Sequence, residues 1–549
     1  MGRRLWIAML VTAAIAGPGG AAPADETKRD APLLEGLGDY VFPVRTDNEL
    51  AQRYMTQGVL LAHGFNHPEA ERSFRQAAQL DPKCAMAWWG VALVLGPNVN
   101  LEMQPEAMVP AWEAIRNAEK RAKNGTQKER DYIVALKQRY KADPPPDRSG
   151  LDQAYADAMR QLHRKYPDDV DVAAFTAEAL MDLHPWDFWL ADGTPKPWTP
   201  EILDLLEPAL AKQPKHPLAN HLYIHAVEGS KDPARGLVAA AGLRKLMPGA
   251  GHMVHMPSHI YIRVGQYHEG TLANELAIAA DNEYATQCHA QGVYMVGYVP
   301  HNHHFLWATA SIEGNSEKAM RAAKTTADHV AHEVLAVPGL EGLQHFLSIP
   351  YFATVRFGKW DEMLAMEPPS ADYPYVGGAW HYGRAIAYAR TGRLAEAQAE
   401  KDELERLAAD PRLDNVKFFG SSELRALLAI GVMVIEGEMK ASEKDYDAAV
   451  AAFRRGIELQ DQLEYTEPPD WFFPVRHNLG AVLLEAGRAK EAEAVYREDL
   501  VTFPENGWAL FGLAQSLRAQ GDLDGAREAE ARFHNAWSNA DMTLTSSRF

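Results

Sequence analysis

The sequence predicts an all-α protein built from repeated helix pairs, and three observations lead there. Apolar residues recur at helical spacing, while strand-like alternation is rare. Glycine and proline punctuate the chain at helix-turn intervals. The chain also resembles itself at an interval of 34 residues, which points to one stacked array rather than several separate cores. With 549 residues, 47% hydrophobic and 23% charged, it is neither disordered nor confined to one ordinary core. Two cysteines exclude a disulfide scaffold and an all-cysteine zinc framework. A formal charge of −19 argues against a nucleic-acid binder, which needs a basic surface.

At the N-terminus, Arg3 and Arg4 precede the apolar run Leu5 to Ala16, and Ala22-Pro23-Ala24 fits a small-residue cleavage rule. This predicts a signal peptide over 1–24, an N-terminal extension over 25–49, and a secreted or periplasmic protein. The apolar run is short of the ~20 residues that a membrane span needs. No later stretch qualifies, so no span is expected after cleavage.

The helix pairs come next. Counted from Phe473 as position 1, Gly480, Leu483, Gly487, Ala492, Tyr496 and Pro504 fall at 8, 11, 15, 20, 24 and 32. One interval later, Ala514, Leu517, Gly521 and Ala526 repeat positions 8, 11, 15 and 20. A frame started at Ala51 places Gly58, Leu61, Ala70, Phe74 and Pro82 at 8, 11, 20, 24 and 32. Small residues at 8 and 20 let two antiparallel helices approach, large ones at 11 and 24 fill the space between pairs, and proline ends the second helix.

These residues resemble the tetratricopeptide repeat. The resemblance implies a right-handed α-solenoid over 50–540, degenerate in the middle, with a C-terminal tail over 541–549. Loop excursions are expected near 142–150, 184–200 and 367–378, where prolines cluster. The runs Phe65 to Asn100, Asn220 to Gly265 and Tyr298 to Ala310 resemble a group of exported bacterial tetratricopeptide-repeat proteins, which supplies a fold more than a mechanism.

The 21 histidines crowd the middle. In a repeat started at Pro217, His221, His225 and Glu228 take positions 5, 9 and 12. From Gly251, His252, His255 and His259 take 2, 5 and 9, and from Pro300, His301 and His304 take 2 and 5. The resemblance implies that these positions face one concave groove. His221 with His225, and His255 with His259, are also i, i+4 pairs, each on one helix face, as two metal ligands on a helix must be. Imidazoles with a carboxylate suit a transition metal, copper a little ahead of zinc, with iron also compatible; Met253 and Met256 beside them add weight to copper. A polar groove for an anion or peptide, and plain hydrogen-bonding histidines, are the alternatives.

Glu178, with Asp182 one turn on, and Glu228 are candidate catalytic carboxylates. Tyr261, Arg263 and Trp186 are candidate substrate contacts. No phosphate loop, dinucleotide fingerprint or nucleophile elbow is present. The sequence therefore supports a metal-dependent oxidoreductase or hydrolase acting on a small molecule in the groove. The alternative is a non-catalytic scaffold for a peptide or protein partner, or a metal storage or delivery protein.

Overall fold

A computed structural model describes residues 31–190, 192–287, 294–337, 339–419 and 421–549. The expected signal peptide lies outside these residues, as do Cys288 and His289. The described residues are helical, with β-structure limited to three isolated bridges, such as Asn98 with Leu101. The all-α, repeat-built fold class expected from the sequence is the one observed. None of the described helices is long and apolar enough to cross a membrane.

The chain divides into two compact units. Unit 1 comprises the described residues of Met1–Ile260 and Leu276–Met295; unit 2 comprises those of Tyr261–Glu275 and Val296–Phe549. Each is built from antiparallel helix pairs that stack on their sequence neighbours.

Unit 1 opens with helices Glu49–His63 and His67–Leu80. Asn48 starts the first, its side chain accepting from the amides of Leu50 and Ala51, and Asn66 caps the second. The ring of Phe74 lies between Gly58 and Gly90, where a Cβ on either glycine would overlap it. Unit 2 repeats this device. Tyr496, on helix Ala489–Thr502, sits between Gly480 on Val475–Glu485 and Gly512 on Gly507–Ala519. A large ring thus fills the gap between neighbouring helices only because both facing positions lack a side chain.

The irregular segments fall between helices. Residues 184–198 separate Val170–Met181 from Thr199–Lys212, and 138–148 separate Gln127–Lys137 from Ser149–Lys165. Residues 366–373 precede Pro374, which opens the helix Pro374–Arg390 at its first turn, where a missing N–H costs nothing.

Candidate metal centre

Helix Pro217–Val227 carries His221 and His225 and is buried on every side. It is fixed at its start by His216, whose Nδ1 accepts from the Ala219 amide at 3.1 Å and whose Nε2 meets Asp171 at 3.0 Å. Glu228 follows as its C-cap. Helix Gly251–His255 brings in His252 and His255, and Pro257–Arg263 brings in His259. The start of Gly251–His255 is held by a short chain of bonds. Tyr294 Oη accepts from the His252 amide at 3.2 Å and donates to Asp281 at 2.7 Å, and a Cβ at Gly251 would overlap that carboxylate.

Six ionisable side chains from these elements meet in unit 1: His221, His225, Glu228, His252, His255 and His259, none more than 3% exposed. The possible ligand atoms of His221, His225 and His252 lie within 4.8 Å of one another, as do those of His225, Glu228 and His259. Ring centroids are 5.0 Å apart for His221 and His225, and 5.0 Å for His221 and His252. His255 and His259 bring their Nε2 atoms to 2.9 Å.

The hydrogen bonds sort the ring nitrogens. His221 Nδ1 donates to the main-chain carbonyl of His63 at 2.6 Å. His225 Nδ1 meets one carboxylate oxygen of Glu228 at 2.9 Å, and His259 Nδ1 meets the other at 2.5 Å. Three rings are therefore engaged through Nδ1. The Nε2 atoms of His221 and His225 are buried with no hydrogen-bond partner among the described residues. Histidines whose Nδ1 is held by a carbonyl or carboxylate, with Nε2 turned inward, are arranged as metal ligands are.

Electrostatics follow from burial. Desolvation, then the neighbouring His225, hold His221 well below the ordinary imidazole range, so its ring is neutral. Burial would raise the Glu228 carboxyl, but His259 and His225 outweigh it and hold the group low. A permanently ionised carboxylate with both oxygens engaged is suited to orient rings rather than to deliver protons.

The other carboxylate candidate, Glu178, lines a small cavity, with room for about one water molecule, in the same unit with His63, His67, Arg139 and Phe175. Burial and Asp182 push Glu178 up to about 8, against the pull of Arg139. Arg139 itself pairs with Asp182 at 2.6 Å. Glu178 therefore carries its proton at neutral pH. The cavity adjoins the histidines through His63, whose carbonyl holds His221.

Trp186 stands edge-on to His225 with centroids 4.9 Å apart. Tyr261, Arg263, His301 and His304 belong to unit 2. Arg263 lies over the Tyr465 ring at 5.2 Å and faces Glu467 at 3.8 Å, while Tyr261 is buried. His301 packs edge-on to Phe305 and Phe419. His304 is buried beside Trp307, His345, Phe346 and Phe418. The unit 1 centre thus gathers His221, His225, Glu228, His252, His255 and His259, with Trp186 at its edge and Glu178 in the adjoining cavity.

Residues 477–540 match a tetratricopeptide repeat family, and residues 379–400 match another tetratricopeptide repeat family. These two segments carry tetratricopeptide repeats. No curated protein matches it. Among solved structures it is similar to a human IFIT1 dimer with m7Gppp-AAAA, at 11% identity over 90% of this chain and 91% of that one, TM-score 0.32. It is also similar to the APC/C hetero-tetramer Cut9-Hcn1, at 11% identity over 90% and 95%, TM-score 0.24. Similarity at this level says nothing of ligands.

In the frame of the repeat, Phe65 and Lys444 stand at positive φ where other units carry glycine, and side-chain spacing alone did not single out Phe65. Position 15 is Gly487 and Gly521 in the last two repeats, both at positive φ, where glycine costs least. In the first repeat that position is Phe65, at φ 57°. Its ring lies 4.5 Å from His221, 5.7 Å from His252 and 6.3 Å from His225. Trp186 also adopts positive φ, at 62°. Two aromatic residues at positive φ therefore lie against the histidines.

Proposed function

We propose that unit 1 binds a transition metal through Nε2 of His221 and His225 together with His252, and that Glu228 orients His225 and His259 beside it. The observation that carries this reading is the pair of buried, unpartnered Nε2 atoms on rings whose Nδ1 atoms are already engaged. An imidazole donor set suits zinc and copper alike, with iron next. Such a metal, when bound, supplies Lewis-acid or redox chemistry. In that case the chain acts on a small molecule entering beside Glu178, whose carboxyl holds a proton to donate. Phe65 and Trp186 exclude water from the rings. The arginine-flanked N-terminal sequence fits delivery of this protein to an exported, metal-accessible compartment.

Elemental analysis of protein isolated without chelators tests the reading. About one transition-metal ion per chain is expected, reduced at least tenfold in a His221→Ala, His225→Ala variant that keeps its helical circular dichroism. Metal-free protein that also takes up neither zinc nor copper on titration would sink it.

A second reading is a scaffold for a protein partner, centred on unit 2. It is favoured by the way residues 544–549 lie among the helices of that unit, and it is compatible with the first.

A further inference from the structure

After helix Leu523–Ala536, the chain of unit 2 folds back over its own repeats. Asp541 accepts from the amides of Ser316 and Glu317 at 2.8 Å each, at the start of helix Ser316–Asp328. Leu544 is buried. Ser547 Oγ donates to the His477 carbonyl at 2.8 Å and lies 2.7 Å from Tyr496 Oη. Arg548 is buried in an ion pair with Glu438, on helix Leu424–Ser442, and reaches Glu485 at 2.8 Å. The Phe549 ring stands perpendicular to Trp508 at 5.7 Å and covers Gly358, where a Cβ would collide with it. Three consecutive side chains are thus read by three different sets of groups: hydroxyl by hydroxyl and carbonyl, guanidinium by two carboxylates, and aromatic ring by an aromatic wall.

The fit is incomplete. A gap large enough for about one water molecule remains beside Arg548 and Phe549, lined also by Arg356, Tyr382 and Asn478. Tyr382 Oη, Asn478 Oδ1 and Arg356 Nε are buried there without hydrogen-bond partners among the described residues. Unsatisfied buried groups are costly, and a water or a polar group seated in the gap would supply partners for them. Glu438 also keeps Arg390 at 3.3 Å and the Asn478 amide at 2.8 Å, so loss of Arg548 does not leave its charge alone.

We propose that this groove recognises an extended segment of a protein partner bearing a hydroxyl residue, an arginine and an aromatic residue in succession, and that residues 547–549 fill it in cis until such a segment displaces them. This rests on the scaffold reading of unit 2 and not on the histidine centre, so each fails alone. The partner's segment offers what Ser547, Arg548 and Phe549 offer.

Fluorescence anisotropy with a labelled peptide of residues 541–549 tests this on the full chain. In an Arg548→Ala, Phe549→Ala variant, which loosens the cis segment, the peptide is expected to bind at least tenfold more tightly than to the unaltered chain. Adding Glu438→Gln should weaken that binding at least tenfold. No binding to a loosened variant that keeps its helical content, or binding indifferent to Glu438→Gln, overturns the proposal. If the loosened variant fails to fold, hydrogen exchange on the unaltered chain decides. Amides of 544–549 should exchange ahead of helix Val475–Glu485, and faster still with excess peptide. Exchange only in step with that helix, or no response to the peptide, overturns it.

Discussion

His221 donates its Nδ1–H to the main-chain oxygen of His63 at 2.6 Å, although 158 positions separate them. A carbonyl oxygen can only accept, so the bond selects the His221 tautomer and leaves the Nε2 lone pair facing the other rings. Long-range proton–nitrogen spectra of metal-free protein should therefore show His221 as the neutral Nδ1–H form at pH 6–8. A dominant Nε2–H form would remove the basis for ligation by this residue.

Glu228 is expected to matter without touching the metal. Glu228→Gln keeps one acceptor but loses the charge that holds His225 and His259. Loss of such an orienting partner costs roughly 10–100-fold in metal affinity. Competition with a chromogenic chelator measures it, with His303→Ala as the reference, since His303 stacks on His329 in unit 2. Equal affinities for the two variants would mean that the carboxylate does not position the rings.

Gly512→Ala places a methyl group inside the Tyr496 ring. Overpacking of this kind costs about 1–3 kcal/mol, visible as a lower urea midpoint. Gly150→Ala, where an added Cβ meets nothing within 4 Å, should be neutral or stabilising by at most about 1 kcal/mol. A Gly512→Ala midpoint matching that of Gly150→Ala would show that the ring is not clamped.

Unit 2 should lose stability in acid. Burial pushes His345 down to about 3, and burial with His345 nearby also lowers His304. An imidazole depressed on folding contributes stability that is present above its unfolded pKa of ~6.5 and is lost as the pH falls toward 3, because the unfolded chain takes up the proton first. At pH 5, His345 alone accounts for about 2 kcal/mol of lost stability. The melting temperature, followed by tryptophan fluorescence, should drop between pH 7 and 5. The drop should be smaller in His345→Gln; an identical drop would place the acid sensitivity elsewhere.

Much of this was legible in the residues themselves. The helix pairs announce themselves because Gly58 with Phe74, and Gly480 with Tyr496, recur at one spacing set by ring size against a missing side chain. His221, His225, His255 and His259 announce themselves because helical spacing puts each pair on one face. The role of His63 was hidden because a backbone carbonyl leaves no mark in side-chain pattern. Phe65 was legible only as a departure from glycine at position 15. His301 and His304 share frame positions with the others, yet their described neighbours in unit 2 are chiefly aromatic, and the frame at Pro300 departs from the strict interval. Residues 544–549 carry no periodicity, so their seat among the helices could not be read from spacing.

Tyr496 bears two duties at once. Its ring is the shared rivet between two adjacent helix pairs, and its hydroxyl meets Ser547. In a linear array, stability is a sum of each repeat's own term and the couplings between neighbours. A residue that sits in such a coupling and also senses the occupant of the groove ties the two quantities together. Departure of the segment from Tyr496 would be felt as a change in how cooperatively the neighbouring pairs open, which turns occupancy of one groove into stiffness of the array.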